Sequence, residues 1–165
     1  MTFYSNFQPS GVQMLTTPLL CWDLAHPLLP KRINIANDIR KIDELKNKFR
    51  WQFDYPLRSY LEENYSIVVT NSEREVIWLS HNFFSLTGYT IEDIQGNKPS
   101  ILQGEKTSKK IKQKIRDSLR KLEKFKVQVL NYRKDGKEYK CCVEVFPIFT
   151  VDGLCTHFLA FEKEV

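Results

Sequence analysis

The strongest constraint on this chain is a series of extended segments near its end. Segments 125–132 and 138–149 are long strand-like runs, and Asp135-Gly136 between them is a dipeptide that strongly favours a tight β-hairpin turn. A second turn dipeptide, Asp152-Gly153, leads into a last strand at 155–161. Three consecutive antiparallel strands are therefore predicted.

The elements before these strands complete a mixed domain. Two β-branched or apolar runs, 67–70 and 76–79, flank a polar turn and predict a first hairpin. Ser80 is a suitable N-cap for a short helix, and residues 90–93 resemble a capping box. A longer helix follows, with an apolar stripe of Ile111, Ile115, Leu119 and Leu122. The order indicates an α+β domain, with an antiparallel sheet and its helices on one face.

Residues 1–64 are expected to form an N-terminal arm with amphipathic helices, ahead of a domain at 65–165. Prolines interrupt the first thirty residues, which we expect to be irregular. Apolar residues then recur at steps of three and four and predict a helix over about 33–51. The stripe consists of Ile35, Ile39, Ile42, Leu45 and Phe49. Pro56 interrupts the pattern, and a second short helix leads into the domain.

The stripe on the first helix leaves two alternatives open. It lasts only about two heptads, whereas a coiled coil is recognised from ~3–4 heptads. A row of large apolar side chains is nevertheless an unusual patch to expose on a monomer. The helix is therefore expected either to cover the outer face of the sheet or to pair with a second copy.

Several function classes are not supported by any pattern in the sequence. No apolar run reaches the ~18–20 residues of a membrane helix, and the polar N-terminus does not resemble a signal peptide, so a cytoplasmic protein without a membrane partner is expected. There is no G-x-S-x-G or H-E-x-x-H pattern and no phosphate-binding glycine loop. We therefore predict no enzymatic activity and no catalytic residue.

Metal and haem sites are also not expected. The four cysteines, Cys21, Cys141, Cys142 and Cys155, form no C-x-x-C pair, and adjacent residues on a strand point to opposite faces. They are interpreted as reduced structural thiols. A haem ligand on the long helix would be a histidine, and segment 109–122 has none. His81 and His157 are assigned surface or capping roles.

Positive charge is concentrated on the long helix. The net charge is +5, and this segment contains Lys106, Lys109, Lys110, Lys112, Lys114, Arg116, Arg120, Lys121, Lys124 and Lys126. The patch could bind nucleic acid or an acidic protein partner. Without interleaved aromatic residues, a solvated helix face is favoured, and nucleic acid is not an expected partner.

Three stretches carry a resemblance to a known family. They are Asn-Phe-Phe-Ser-Leu-Thr-Gly-Tyr at 82–89, Gly-Asn-Lys-Pro-Ser-Ile-Leu-Gln-Gly at 96–104 and Asn-Tyr-Arg-Lys-Asp-Gly at 131–136. With the element order, they resemble the PAS superfamily, and most of all its LOV branch, whose flavin-binding loop has the form Gly-Arg-Asn-Cys-Arg-Phe-Leu-Gln-Gly. The resemblance implies a PAS fold: a five-stranded antiparallel sheet that cups a small-molecule pocket beneath the helices.

The resemblance also implies which residues would contact a flavin. The cysteine that forms the light-driven bond in LOV proteins corresponds to Pro99, so no adduct is expected. Polar positions of the family are replaced at Lys98, Ser100, Cys141 and Glu162. The cofactor-binding candidates that remain are Gln103, Arg116 and Asn131.

The replaced positions bear directly on cofactor affinity. Each lost polar partner costs ~1–3 kcal/mol, so four or five losses could remove a micromolar affinity of ~8 kcal/mol. The expected cofactor is therefore none or a weakly bound flavin. In the alternative interpretation, the three candidates only satisfy backbone groups or lie on a solvated helix face.

These observations favour a non-catalytic PAS sensory and signalling module that acts through protein–protein interaction, with or without a small ligand, and that is not a LOV photoreceptor. Because helices flanking PAS domains often mediate pairing, a homodimer through the N-terminal helix and sheet is expected. The chain ends at Val165, directly after the last strand, so the output is expected from a separate signalling protein or from the N-terminal segment. The alternatives are a flavin-dependent redox or light sensor without the cysteinyl adduct, and a nucleic-acid or acidic-partner binder.

Overall fold

The structure, a computed structural model, describes residues 28–165, and this part of the chain contains five α-helices and five strands. The helices are α1 Leu28–Phe49, α2 Leu57–Glu62, α3 Asn82–Thr87, α4 Ile91–Ile94 and α5 Lys109–Arg120. The strands are β1 Ser66–Asn71, β2 Val76–Leu79, β3 Phe125–Tyr132, β4 Glu138–Phe149 and β5 Cys155–Glu164. The prediction of an irregular arm over the first thirty residues is wrong for residues 28–30, which begin α1, and its remainder and the prediction for Cys21 concern residues outside the described range. One compact unit spans Ile33–Val165.

The five strands form one antiparallel sheet in the order β2-β1-β5-β4-β3. This confirms the predicted α+β fold. Both turn predictions are also confirmed, because Gly136 and Gly153 adopt positive φ angles of 85° and 80° at the hairpin turns. The last strand continues to Glu164, beyond the predicted end at 161, because β4 pairs with it from Phe149 opposite Cys155 to Cys141 opposite Glu164.

The two faces of the sheet bury different sets of residues. On the inner face, strands β3 and β4 place alternate residues against the stripe of α5; these include Val127, Val129, Val143 and Val145, packed with Ile111, Ile115 and Leu119. On the outer face lies a second group, which we call the outer-face cluster. It contains Ile35, Ile42, Phe146, Ile148, Leu159 and Phe161.

The apolar stripe of α1 is part of this outer-face cluster. Ile35 and Ile42 are 2% and 0% exposed, and the half-buried Ile39, Leu45 and Phe49 pack against the same cluster. At ~1.5–3 kcal/mol for each fully buried side chain, this contact is a substantial part of the stability of the unit. The helix thus covers the sheet of its own chain. Pairing with a second copy stays a prediction.

The ends of α1 differ from the predicted bounds of 33 and 51. The helix begins at Leu28. Pro30 is compatible with this start, because it lies in the first turn, where a missing backbone N–H removes no helical hydrogen bond. It ends at Phe49, because Arg50 adopts a left-handed φ of 56° and the Trp51 N–H donates back to the Lys46 carbonyl oxygen at 2.9 Å. Trp51 then pairs with Thr150 as an isolated bridge beyond the ends of the strands.

The predicted caps have different outcomes. Thr90 and Asp93 form the capping box at the start of α4. Ser80 does not cap α3, which is preceded by His81. The Ser80 hydroxyl accepts the Ile67 N–H at 2.8 Å, and the Ser80 N–H donates to the Ile67 carbonyl at 2.9 Å. Ser80 therefore continues the β1–β2 pairing, and this use of its side chain excludes the capping role.

Several polar contacts connect the N-terminal segment to the domain, and two of them involve histidines. The carboxylate of Asp38 on α1, 7% exposed, accepts the backbone N–H of His81 at 3.2 Å and lies 2.5 Å from its ring Nδ1. The Trp51 Nε1–H donates to Nδ1 of His157 at 3.0 Å. His157 is buried, so its predicted surface or capping role is wrong, because the ring packs against Phe49 and Trp51.

Candidate functional site

A cavity of about 360 Å³ lies on the inner side of the sheet. Its volume is within the ~300–1,000 Å³ range of small-molecule sites. The sheet supplies a mainly apolar wall, formed by Val68, Val129, Val143, Val145, Phe158 and Ala160. The other wall comes from α5 and from the loop that contains a short 3-10 turn at Pro99–Leu102.

This loop is fastened to strand β3 by close contacts. Gly104 lies against the ring of Tyr132, and a Cβ at this position would be 2.3 Å from a ring carbon. The Thr107 hydroxyl donates to the Leu130 carbonyl at 2.6 Å and accepts the Gly104 N–H at 3.0 Å. Gln103 also forms a backbone bridge with Asn131. The wall of the cavity is therefore held by the glycine and by backbone hydrogen bonds.

Two buried oxygen atoms on the cavity wall have no hydrogen-bond partner within residues 28–165. They are Oδ1 of Asn131 and Oε2 of Glu162, in residues that are 4% and 3% exposed. We call them the acceptor pair. Burial raises the pKa of Glu162 to about 7. An unsatisfied buried polar group costs ~1–3 kcal/mol, so such atoms in a native structure require an explanation.

Glu162 lies on β5, and its titratable neighbours on β4, Tyr139 and Cys141, are uncharged near neutral pH. Burial raises the pKa of the Tyr139 phenol, and the negative charge of Glu162 raises it further. The pKa of the Cys141 thiol is raised by the same two causes, burial first. Neither group can neutralise an ionised Glu162, and no Lys or Arg in the described range forms an ion pair with this residue.

Positive charge lines another part of the cavity wall. We call Arg74, Lys98, Lys112 and Arg116 the basic group. None of the four has an acidic partner in the part of the chain that the structure describes. Lys112 Nζ donates to the Gly104 carbonyl at 3.2 Å, and Arg116 donates to the Gln113 side chain at 2.5 Å. The remaining cations of α5 are exposed, with no aromatic residue between them.

The three cofactor-binding candidates from the sequence, Gln103, Arg116 and Asn131, all line the cavity. Of the positions that depart from the LOV pattern, Lys98, Pro99, Ser100 and Glu162 also line it. Cys141 is fully buried beside the cavity, in the cluster that contains Val129 and Tyr139, and is not among the lining residues. Their function as ligand contacts stays a prediction.

Sequence reasoning did not assign Arg74 or Lys112 to the cavity, although Lys112 was named in the basic segment of the long helix. Lys112 could have been found, because it lies four residues before Arg116 and therefore on the same face of α5. Arg74 gives no such signal, because it lies in the turn between β1 and β2. The partnerless state of Glu162 depends on the whole fold and has no local signal.

The flavin that the LOV resemblance implies fits these residues only in part. The basic group provides the charge that a phosphate requires, and Gln103 and Asn131 offer amide groups. Glu162, however, presents a buried carboxyl group where the resemblance places a glutamine. An ionised carboxylate accepts hydrogen bonds and cannot donate one.

No cluster of metal-ligating side chains is found within residues 28–165. In the same range, no helix has the length and apolar character required to cross a bilayer. The three described cysteines are free, and Cys141 and Cys142 are buried.

Several known proteins are similar in sequence to this chain. Protein TWIN LOV 1 of Arabidopsis thaliana is 28% identical over 128 residues, which is 74% of this chain and 32% of that protein. A blue-light photoreceptor of Listeria monocytogenes is 29% identical over 117 residues, 69% of this chain and 46% of its own. The chain thus spans from about a third to about half of these curated relatives.

Solved structures and a family model agree with this similarity. The dark structure of the blue-light photoreceptor Aureochrome1 LOV matches with a TM-score of 0.62 and 27% identity, over 69% of this chain and 86% of that one. The family model described as PAS domain matches residues 64–165, which include the whole sheet and every residue that lines the cavity. This chain belongs to the PAS domain family, and LOV domains are among its neighbours in sequence and structure.

Proposed function

We propose that this protein is a non-catalytic sensory and signalling module in which the state of the cavity controls the N-terminal helix α1. The proposal is carried by strand β5, which lines the cavity with one face and packs in the outer-face cluster with the other. On β5, Phe158, Ala160 and Glu162 line the cavity, whereas Leu159 and Phe161 belong to the outer-face cluster. A ligand that shifts β5 therefore changes the surface on which α1 packs.

The size of this coupling is limited by the difference in ligand affinity between two states of α1. A ligand can shift the equilibrium between docked and released α1 only by that difference. A tenfold preference corresponds to about 1.4 kcal/mol, which is sufficient to change the released fraction severalfold when docking is marginal. Signals would leave the module through a separate signalling protein that recognises α1, or the surface that α1 covers.

Amide hydrogen exchange tests this coupling. Small molecules released from freshly purified, denatured protein are first identified by mass spectrometry, and exchange is then compared with and without the released compound. We expect changed exchange in residues 35–49 as well as in β5. A control is β2, which is at the edge of the described sheet and is hydrogen-bonded to β1 and not to β5 or β4. A compound that protects the cavity but leaves α1 unchanged would refute the coupling.

We further propose that the module does not form a light-driven cysteinyl adduct. Pro99 lines the cavity at the position that the LOV resemblance assigns to the reactive cysteine, and no described lining residue is a cysteine. Blue illumination should therefore produce no reversible bleaching of the flavin absorbance and no adduct in the mass spectrum. Pro99→Cys alone should not restore a photocycle, because Lys98, Ser100 and Glu162 also differ. A cycling Pro99→Cys protein would refute this.

The second candidate function is a flavin-dependent redox or light sensor without the adduct. It is supported by the presence of Gln103, Arg116 and Asn131 around the same cavity, and by the similarity to proteins named as blue-light photoreceptors. Absorbance of the purified protein in the blue region distinguishes the two. A stoichiometric flavin that is reduced and reoxidised reversibly would favour this candidate over the first.

A further inference from the structure

The acceptor pair and the basic group together define a ligand of opposite polarity at its two ends. We propose that the cavity binds a small amphoteric molecule, with a cationic nitrogen donor at Glu162 and an anionic group at the basic group. The inference rests on the proposed function, because it assigns the ligand class of the same site. It differs from the flavin candidate, which offers no cationic nitrogen to Glu162.

A ligand group that contacts an ionised Glu162 must be a hydrogen-bond donor, because a carboxylate only accepts. Glu162 has no cation from the described chain beside it. A protonated nitrogen with several N–H groups, such as an amidinium, donates to Glu162 and neutralises the buried charge. The amide oxygen of Asn131 is also unpartnered and can accept a further N–H from the ligand.

The other end of the ligand must carry negative charge. Within residues 28–165, four cations line the cavity without an acidic partner, and the only lining residue with a carboxylate is the buried Glu162. Lys98, Arg74 and Arg116 line the cavity and are also exposed, so solvent reaches the basic group. A carboxylate or phosphate on the ligand is the complementary group.

The middle of the ligand is expected to be flat and apolar. The remaining wall is formed mainly by valine, leucine and phenylalanine side chains from β1, β3, β4, β5 and α5. These residues offer no hydrogen bonds, so a polar linker would lose its contacts with water without replacement. A single aromatic ring satisfies this requirement.

The binding is linked to protons through Glu162. The titratable groups around it are Tyr139 and Cys141 on β4, whose pKa values are raised by burial, so both stay neutral near neutral pH. The charged groups on the other walls are those of the basic group. A decrease in cation affinity below about pH 7 therefore reports Glu162.

Three probes of nearly equal shape test the proposal by calorimetry and NMR titration. 4-Amidinobenzoate has a cationic donor and a carboxylate, 4-carbamoylbenzoate replaces the amidinium by a neutral amide, and terephthalate replaces it by a second carboxylate. At about pH 8, we expect the amidinium probe to bind at least about tenfold more tightly than either analogue. Its affinity should fall about tenfold for each pH unit below pH 7.

Variants localise the effect. Glu162→Gln should weaken the amidinium probe at least about tenfold and remove its pH dependence, and Arg116→Gln should weaken all three probes. Glu105→Gln is the matched control, because the same change is made at an exposed position outside the cavity. Equal binding of the amidinium and amide probes, retained affinity in Glu162→Gln, or no binding at millimolar probe would each overturn the proposal.

The same samples separate this inference from the proposed function. Amide exchange of α1 is measured with the amidinium probe bound. Binding that depends on Glu162 but leaves α1 unchanged supports the ligand class and refutes the coupling. An effect on α1 from a purified natural compound, without binding of the amidinium probe, supports the coupling and overturns the ligand class.

Discussion

Replacement of Ile42 by alanine tests whether α1 is docked on the sheet in solution. Ile42 is 0% exposed, within the outer-face cluster, so the change leaves a cavity between the helix and the strands. Buried large-to-alanine changes of this kind cost ~2–5 kcal/mol. The gap lies between a helix and a sheet that can move closer together, so we expect the lower half of this range, about 2–3 kcal/mol.

Urea unfolding followed by tryptophan fluorescence measures this loss. With a slope of ~1–3 kcal/mol/M, the unfolding midpoint should fall by about 1–2 M. Ile33→Ala is the matched control, because Ile33 lies on the same helix and is 56% exposed. Its effect should remain within about ±0.5 kcal/mol.

A result for Ile42→Ala as small as the control would refute the docked helix. The stripe would then be available to a second copy, and sedimentation velocity over a dilution series should show a dimer that dissociates on dilution. With α1 docked, the buried residues of its stripe are not available to a second copy.

Three further predictions concern buried groups. Burial lowers the pKa of His157 from 6.5 to about 4, so the free energy of unfolding should fall by roughly 2–4 kcal/mol as the pH decreases from 6.5 to 4. The variant His157→Gln keeps an acceptor for Trp51 and should show a flatter decline in pH-dependent denaturation. The pH dependence of stability due to Glu162 has the opposite sign. Burial raises its pKa from 4.5 to about 7, so its contribution to stability is present below pH 4.5 and lost as the pH rises through 7. Glu162→Gln should therefore raise the free energy of unfolding by roughly 2–3 kcal/mol at about pH 8. A Glu162→Gln protein that is less stable at that pH would contradict the unpartnered carboxylate. Gly104→Ala should lower the free energy of unfolding by about 1–3 kcal/mol, because the added Cβ would meet the Tyr132 ring. Adding Tyr132→Leu to this variant should recover part of the loss, again measured by denaturation.

The sheet could be predicted because its signals are local. Turn dipeptides at Gly136 and Gly153 and β-branched runs between them act over a few residues, and the structure has hairpins at both places. The capping box at Thr90 is equally local. Ser80 was misassigned because a serine before a helix can satisfy either the helix or a neighbouring strand, and only the pairing with Ile67 decides between them.

The parts that could not be predicted depend on residues that are distant in sequence. Trp51 and His157 are 106 positions apart, and the burial of His157 follows from that contact. The periodicity of α1 shows that one face is apolar, but it does not say which surface that face meets. At the site, the resemblance brought Gln103, Arg116 and Asn131 to one cavity, whereas the missing partner of Glu162 becomes visible only when all surrounding strands are in place.

The contact between Asp38 and His81 has a consequence for the specificity of helix docking. Apolar contacts are not directional, and the stripe of α1 repeats every three or four residues, so a helix shifted by one turn, about 5.4 Å, would bury a similar surface. Such a shift would move the Asp38 carboxylate away from the His81 N–H and ring and leave a buried charge without donors. This carboxylate therefore disfavours positions of α1 that are shifted by one turn but bury a similar apolar surface.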